Sequence, residues 1–190
     1  MTDQGSEGLL SPYLRQQRFK AAKPYIQGRV LDVGCGSGSF SQYVESDLYL
    51  GVDRNLKALA KAKASYPNHR FQEHLPQKSF KFDTIFALAV IEHMSDPSKF
   101  LALLSDNLEN GPDARIVVTT PHPAVELIHN MGAMIGLFSK EASEEHEELL
   151  DRKNLEYAGR QAGLFLVEFR RFLFGANQLG VFMRSTDASI

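Results

Sequence analysis

Little in this sequence points to an oxidising compartment, a membrane or nucleic acid. Its 190 residues include one cysteine, Cys35, which cannot form an internal disulfide, and no apolar run is long enough to span a membrane or placed like a signal peptide. The formal net charge of -2 provides no broad positive field of the kind that attracts nucleic acid. We therefore expect a cytoplasmic protein, a monomer or homodimer, with no nucleic-acid partner and no stable membrane insertion.

The sequence also lacks internal repeats and low-complexity tracts, and its length suits one domain that must hold every ligand. Both ends are polar and show no apolar period. Residues 9–185 are therefore predicted to form a single domain, with residues 1–8 and 186–190 flexible.

Between the ends, short apolar strands alternate with helical patterns. The strands are predicted at residues 29–33, 49–52, 70–73, 82–87 and 116–120, and the helices at residues 11–27, 40–45, 55–65, 151–162 and from Asp96 onward. Two β-rich stretches, 164–174 and 179–183, complete the chain, with a hairpin loop predicted at Gly175, Ala176 and Asn177. This alternation is typical of an α/β fold in which a mostly parallel sheet carries helices on both faces.

A glycine loop follows the first predicted strand, in the run Val30-Leu31-Asp32-Val33-Gly34-Cys35-Gly36-Ser37-Gly38. Glycines permit positive φ angles and let a ligand lie against bare backbone. The dinucleotide fingerprint G-x-G-x-x-G needs a glycine where this chain has Ser39, so the spacing favours a ligand without phosphate. The alternative is a plain tight turn in another kind of α/β protein.

An acidic residue strengthens the ligand-binding interpretation of that loop. Asp53 ends the second predicted strand and lies 19 residues beyond Gly34, close to the interval typical of a ribose-binding carboxylate. Such a carboxylate can accept hydrogen bonds from both ribose hydroxyls. The alternative is a solvated aspartate in a turn.

The glycine loop, the run Gly51-Val52-Asp53 and the segment from Phe82 to His93 together resemble the class I S-adenosylmethionine-dependent methyltransferases, in the bacterial branch that acts on small molecules. The resemblance covers most of the chain. It implies S-adenosylmethionine as the cofactor. It also implies an α/β, doubly wound, mostly parallel seven-stranded sheet with a C-terminal antiparallel hairpin, which is the Rossmann-like methyltransferase fold.

The resemblance further implies a set of cofactor-binding residues. They are Asp32, Gly34, Cys35 and Gly36 around the methionine part, Asp53 at the ribose, Arg54, Asn55, Glu73 and His74 near the adenine, and Ala87 and Leu88 along the fourth strand. The basic face of the first helix could in addition place Arg18 on the cofactor carboxylate, although such a face is more often simply solvated. The segment 72–76 departs from the family, because relatives often have a Gly-Asp pair and a longer linker there.

Methyl transfer is an in-line displacement that depends mainly on holding the two reactants in place, and no covalent catalytic residue is required. A base would help with a hydroxyl or acidic C–H acceptor, and histidines are the candidates at neutral pH. His93 and His122 follow the fourth and fifth strands, where ligands bind in open parallel sheets. The resemblance implies that His146, before the last helix, could point into the substrate pocket. Each could instead be structural, or solvated in the case of His146. We expect no metal, since Cys35 stands alone and the histidines have no ligand spacing.

The resemblance implies that residues 121–148 are an insertion that covers the substrate, and their Met- and Gly-bearing apolar part would suit a lid. A helix packed on the core or a dimer contact are the alternatives. The predicted function is methyl transfer to a small-molecule acceptor, and a lid of this kind would suit an apolar one. Two other functions stay open: a regulatory module that binds S-adenosylmethionine without turnover, and a nicotinamide-dependent oxidoreductase.

Overall fold

The computed structural model describes residues 11–122 and 150–184. The helices are α1 (Ser11–Ala22), α2 (Leu56–Ser65), α3 (Pro97–Ser105) and α4 (Arg152–Gln161), with 3-10 helices at Lys23–Tyr25, Ser41–Tyr43 and Ile91–His93. The strands are β1 (Val30–Val33), β2 (Tyr49–Val52), β3 (Arg70–Gln72), β4 (Thr84–Leu88), β5 (Arg115–Pro121), β6 (Leu164–Phe172) and β7 (Asn177–Arg184).

The strands form one seven-stranded sheet in the order β3-β2-β1-β4-β5-β7-β6. The first five strands are parallel to one another, and β7 runs antiparallel to both β5 and β6. The predicted doubly wound sheet with a C-terminal antiparallel hairpin is therefore confirmed. Because the first five strands are parallel, all their carboxyl ends meet at one edge of the sheet, which we call the carboxyl edge.

Two hydrophobic cores cover the two faces of this sheet. One contains Leu31, Ile85 and Ile116 from the strands with Leu101 of α3 and Leu155 of α4. The other contains Val30, Phe86 and Val117 from the same strands, together with Phe19 of α1 and Leu59 of α2. Alternate residues of β1, β4 and β5 thus point to opposite faces, which explains why these strands are mostly apolar.

The helix boundaries follow from capping residues in the sequence. Asn55 caps α2, since its side chain accepts from the backbone N–H groups of the first turn, and Asp96 and Asp151 cap α3 and α4 in the same way. The predicted helix over residues 11–27 is too long, because α1 gives way to a 3-10 helix at Lys23, immediately before Pro24. The hairpin turn spans residues 173–176 and so begins earlier than predicted, with Asn177 already in β7.

The regular alternation of strand and helix fails at two places. The predicted helix at residues 40–45 is only a 3-10 turn, and the fully described residues 73–83 between β3 and β4 contain no helix. The sheet edge beside β3 therefore carries an open groove of about 1250 Å³, with Leu50, Phe71 and Phe80 in its lining. This groove contains no residue of the glycine loop.

Several predictions fall on parts of the chain that lie outside the described residues. They are the flexible ends at residues 1–8 and 186–190, His146, and residues 123–148 of the predicted insertion. All of these stay predictions. None of the helices described for residues 11–122 and 150–184 is both long and apolar enough to cross a membrane.

Candidate functional site

The glycine loop opens onto a cavity of about 250 Å³ at the carboxyl edge. The cavity is lined by residues from α1, from the glycine loop and from the end of β4: Arg15, Arg18, Phe19, Asp32, Gly34, Cys35, Gly36, Ser37, Ser39, Phe40, Leu88 and Ala89. Ligands of open parallel sheets bind at this edge. The cavity therefore lies where the strand order places the functional site.

The backbone of the loop depends on its glycines. Gly34 and Gly36 both have positive φ, at 75° and 54°. A Cβ on Gly34 would lie 2.4 Å from Val90 Cγ2, so a side chain does not fit there. A Cβ on Gly36 would meet no atom within 4 Å, which leaves its backbone open to a ligand.

Asp53 fixes the loop from the end of β2. Its Oδ2 accepts a hydrogen bond from Gly36 N at 2.7 Å, and its Oδ1 accepts one from Asn55 N at 2.8 Å. Each carboxylate oxygen can accept a second hydrogen bond, so ribose hydroxyls still have acceptors available. Asp53 thus connects the glycine loop to the start of α2.

Asp32 supplies a buried carboxylate to the cavity, with 3% of its surface exposed. Tyr49 donates a hydrogen bond from its hydroxyl to Asp32 Oδ2 at 2.6 Å. Burial raises the pKa of Asp32 to about 7, although the Tyr49 hydrogen bond lowers it, and the charge of Asp53 adds to the increase. Burial, and then the charges of Asp32 and Asp53, also raise the pKa of Cys35, so its thiol stays protonated.

Arg18 of α1 brings a positive charge to the cavity lining. Its Nε donates to Asn177 Oδ1 at 3.2 Å, which anchors α1 to the start of β7. Burial lowers the pKa of Arg18, and the nearby carboxylate of Glu92 raises it. The cavity therefore has a carboxylate on one wall and a guanidinium on another.

Glu92 is a residue of this region that the sequence analysis did not single out. Its Oε2 is buried and has no hydrogen-bond partner among the residues that the structure describes. Burial raises the pKa of Glu92, and its backbone hydrogen bond, the charges of His93 and Arg18 and the Thr120 hydroxyl lower it. The signal for Glu92 in the sequence is its place shortly after the fourth strand, next to His93, which was the residue predicted for the site.

The structure also locates the other predicted site residues. Leu88 lines the cavity, whereas Ala87 points to the opposite face and lies in the core of α3 and α4. Asn55 uses its side chain to cap α2. Glu73 and His74 are exposed and lie outside the cavity lining, with His74 Nε2 3.8 Å from Glu73 Oε2. Arg54 is exposed at the start of the loop into α2.

Two of the predicted histidines lie at the carboxyl edge. His93 is exposed at the end of the 3-10 helix after β4. His122 follows β5, where its backbone N–H donates to Ala176 O at 2.9 Å. Burial lowers the pKa of His122, and the charge of Arg171 lowers it further, while Asp151 raises it.

A backbone feature that the sequence did not reveal lies at the same edge. The non-glycine residues with positive φ in the described ranges are Ala89 in the cavity lining and Leu173 and Phe174 in the β6–β7 turn. All three follow strands that end at the carboxyl edge or turn there. Such conformations are costly and concentrate at functional sites, which agrees with the position of the cavity.

The sequence as a whole decides the family. A family profile described as "Methyltransferase domain" matches residues 8–168, which is most of the chain. This chain belongs to the methyltransferase domain family. A methyltransferase domain uses a methyl donor, which agrees with the predicted S-adenosylmethionine and gives the nicotinamide alternative no support.

Curated relatives of this methyltransferase domain differ in their named substrates. The chain is 32% identical over 106 residues to the trans-aconitate 2-methyltransferase of Deinococcus radiodurans, covering 53% of this chain and 40% of that protein. It is 28% identical over 177 residues to a tRNA U34 carboxymethyltransferase of Campylobacter jejuni, covering 76% and 60%. The chain thus spans about half the length of these relatives, and the expectation of no nucleic-acid partner is not supported.

A solved structure confirms the fold. The magnesium protoporphyrin IX methyltransferase of Synechocystis PCC 6803, with bound SAH, superposes with a TM-score of 0.69 at 17% identity, covering 96% of this chain and 90% of that one. At this identity the similarity concerns the fold alone. It agrees with the strand order of the methyltransferase domain described above.

The residues present fit this cofactor. The ammonium and carboxylate groups of its methionine part need partners of opposite charge, and Asp32 and Arg18 stand on different walls of one cavity. The open space beside Gly36 admits a ligand against the backbone. Within residues 11–122 and 150–184 there is no group of three or more His, Cys, Asp or Glu side chains that could hold a metal ion.

Proposed function

We propose that this domain binds S-adenosylmethionine in the glycine-loop cavity and transfers its methyl group to a small-molecule acceptor at the carboxyl ends of β4 and β5. The observation that carries the proposal is the single cavity that brings together the glycine loop, the Asp32 carboxylate and the Arg18 guanidinium. The bound cofactor supplies an electrophilic methyl group. The protein's part is to hold both reactants in line and to exclude water.

The roles proposed for the cofactor residues follow from their positions. Gly34 and Gly36 let the methionine part lie against the backbone, Asp32 faces its ammonium group, and Arg18 faces its carboxylate. Asp53 accepts from the ribose hydroxyls while it holds the loop through Gly36 N. The exposed positions of Glu73 and His74 support a role at the adenine less strongly.

The acceptor side of the site is proposed to include Glu92, His93 and His122. Glu92 supports this through its buried Oε2, which is a free acceptor among the described residues and can receive a hydrogen bond from a hydroxyl or amine. A raised pKa suits a carboxylate that takes up a proton from a hydroxyl or amine. His146 remains a further candidate in the predicted covering segment.

Calorimetric titration tests the cofactor half of the proposal. The protein is titrated with S-adenosylmethionine, S-adenosylhomocysteine and NAD, and the titrations are repeated on Asp53→Ala. We expect binding of the two sulfur compounds, a loss of about tenfold or more in the variant, and no response to NAD. Preference for NAD, or no binding of either sulfur compound, would contradict the proposal.

A transfer experiment tests the acceptor half. The protein and a cell extract are incubated with S-adenosylmethionine labelled in its methyl group, and the products are separated into small molecules, RNA and protein, with Asp53→Ala as the inactive control. Label in the small-molecule fraction that is absent with the variant supports the proposal. Label in RNA would instead make the domain an RNA methyltransferase, and cofactor binding without label in any fraction would favour the regulatory module.

A further inference from the structure

The Asp32 carboxylate depends on a phenol that the proposed function does not use. Tyr49 is fully buried at the start of β2, and its hydroxyl donates to Asp32 Oδ2 at 2.6 Å. This distance is in the range of a hydrogen bond to a charged oxygen. Burial and the Asp32 charge hold the pKa of Tyr49 well above its ordinary value, so the phenol keeps its proton and remains a donor.

The register of two strands makes this contact possible. Asp32 of β1 pairs with Gly51 of β2, and Tyr49 lies two residues before Gly51 on the same face. Gly51 itself packs closely against the Phe71 ring and Cys35 Sγ. A Cβ at Gly51 would lie 2.7 Å from the Phe71 ring and 2.9 Å from Cys35 Sγ, so no larger residue fits there.

The ring is also fixed from its other side. His69 and Phe71 make edge contacts with the Tyr49 ring, at centroid distances of 5.5 Å and 5.7 Å. The hydroxyl therefore has a defined position in the absence of any ligand. A donor that is already in place stabilises a charge without rearrangement when the ligand arrives.

The surroundings of the pair work against a charged Asp32. Burial is the largest effect, and the carboxylate of Asp53 adds to it. The titratable and charged groups that face the pair are Cys35 and Asp53 around the glycine loop, Arg15 and Arg18 of α1, and Tyr66 and His69 before β3. Of the interactions on Asp32 itself, the Tyr49 hydrogen bond is the one that favours the charged form.

We propose that Tyr49 is a positioning residue of the cofactor site, whose hydroxyl orients Asp32 and stabilises the charged carboxylate that faces the ammonium group of the cofactor. This inference rests on the proposed function. It makes affinity for the amino-acid end of the ligand depend on pH and on a residue outside the cavity lining. The affinity for a ligand that lacks the ammonium group should not depend on Tyr49.

Binding titrations at several pH values test the inference. S-adenosylhomocysteine is compared with 5′-methylthioadenosine, which has no ammonium group, on the wild type and Tyr49→Phe between about pH 5.5 and 8.5. The wild type should bind S-adenosylhomocysteine more weakly as pH falls below about 7, because Asp32 takes up a proton. In Tyr49→Phe this weakening should begin about one pH unit higher, with affinity near pH 7 reduced about fivefold to tenfold.

Two controls separate positioning from a structural defect. The affinity for 5′-methylthioadenosine should be the same in both proteins at every pH, and Tyr43→Phe, which removes a hydroxyl from the same core, should match the wild type. If Tyr49→Phe weakens both ligands equally at every pH, Tyr49 is merely structural and the inference is wrong.

A cofactor-free measurement keeps the inference distinct from the proposed function. The side-chain carboxyl carbon of Asp32 is titrated by NMR in the wild type and in Tyr49→Phe without ligand. We expect the midpoint in the variant to lie about one pH unit higher. An unchanged midpoint overturns the inference even if S-adenosylhomocysteine binds, whereas a shifted midpoint in a protein that binds no sulfur compound contradicts only the proposed function.

Discussion

Replacing Asp32 by asparagine should stabilise the ligand-free protein, and more so at high pH. Asparagine has nearly the same shape, can accept from the Tyr49 hydroxyl at the 2.6 Å contact and carries no charge. Asp32 has a folded-state pKa of about 7 against an ordinary value of 3.8. Between these two values the folded protein keeps a proton that the unfolded chain has released, so the wild type loses stability as pH rises through this window.

The size of the effect follows from the same two values. One pKa unit corresponds to about 1.36 kcal/mol, and integration from pH 5 to pH 8 gives a loss of about 3 kcal/mol for the wild type. The difference in free energy of unfolding between Asp32→Asn and the wild type should grow by that amount from pH 5 to pH 8. For a chain of this length, this corresponds to a difference of about 6 to 12 °C in Tm. The same variant should bind S-adenosylhomocysteine more weakly, because the charge that faces the ammonium group is gone.

Thermal and urea unfolding of the ligand-free proteins at pH 5, 6, 7 and 8 measures this difference. Asp113→Asn is the control, because Asp113 is exposed and its replacement should follow the wild type at each pH. A difference between Asp32→Asn and wild type that stays constant within about 0.5 kcal/mol from pH 5 to pH 8 would refute the reasoning.

Three further substitutions address the site and its supports. Gly36→Ala should weaken S-adenosylhomocysteine binding about tenfold or more in calorimetry, because the added methyl group enters the cavity. It should also lower the free energy of unfolding by about 1 kcal/mol, because φ at this position is +54°. Gly111→Ala, where no positive φ is needed, is the control. Asn55→Ala should cost about 1 kcal/mol in urea unfolding through loss of the α2 cap, and an unchanged affinity for S-adenosylhomocysteine would assign the side chain to capping alone. Arg18→Ala should lower the affinity for S-adenosylhomocysteine about tenfold or more and leave the affinity for 5′-methylthioadenosine unchanged. Replacement of the exposed Arg160 by alanine is the control. An equal loss of affinity for both ligands would show that Arg18 does not bind the cofactor carboxylate.

The sequence by itself determined the order of elements and the position of the glycine loop. Strand and helix periods, caps such as Asn55 and the 19-residue interval from Gly34 to Asp53 are local signals that a linear pattern carries. They predicted the parallel sheet, and the parallel sheet in turn places the loop and Asp53 at one edge. The resemblance to the methyltransferases rests on the same local runs.

Sequence pattern failed where short segments have no strong period. The predicted helix at residues 40–45 is a single 3-10 turn. Ala87 and Leu88 are neighbours in one strand, but only Leu88 faces the cavity. Which of two adjacent residues faces a ligand depends on which face of the sheet the site occupies.

Only the tertiary structure decided the electrostatics of the site. Tyr49 reaches Asp32 from a neighbouring strand, and Arg18 donates a hydrogen bond to Asn177, which lies 159 residues away in the chain. The pKa of Glu92 depends on its burial, on the charge of Arg18 from α1 and on the Thr120 hydroxyl of β5. The charge state of a carboxylate is set by the solvent it loses and the groups that surround it, and these come from distant parts of the chain that folding brings together.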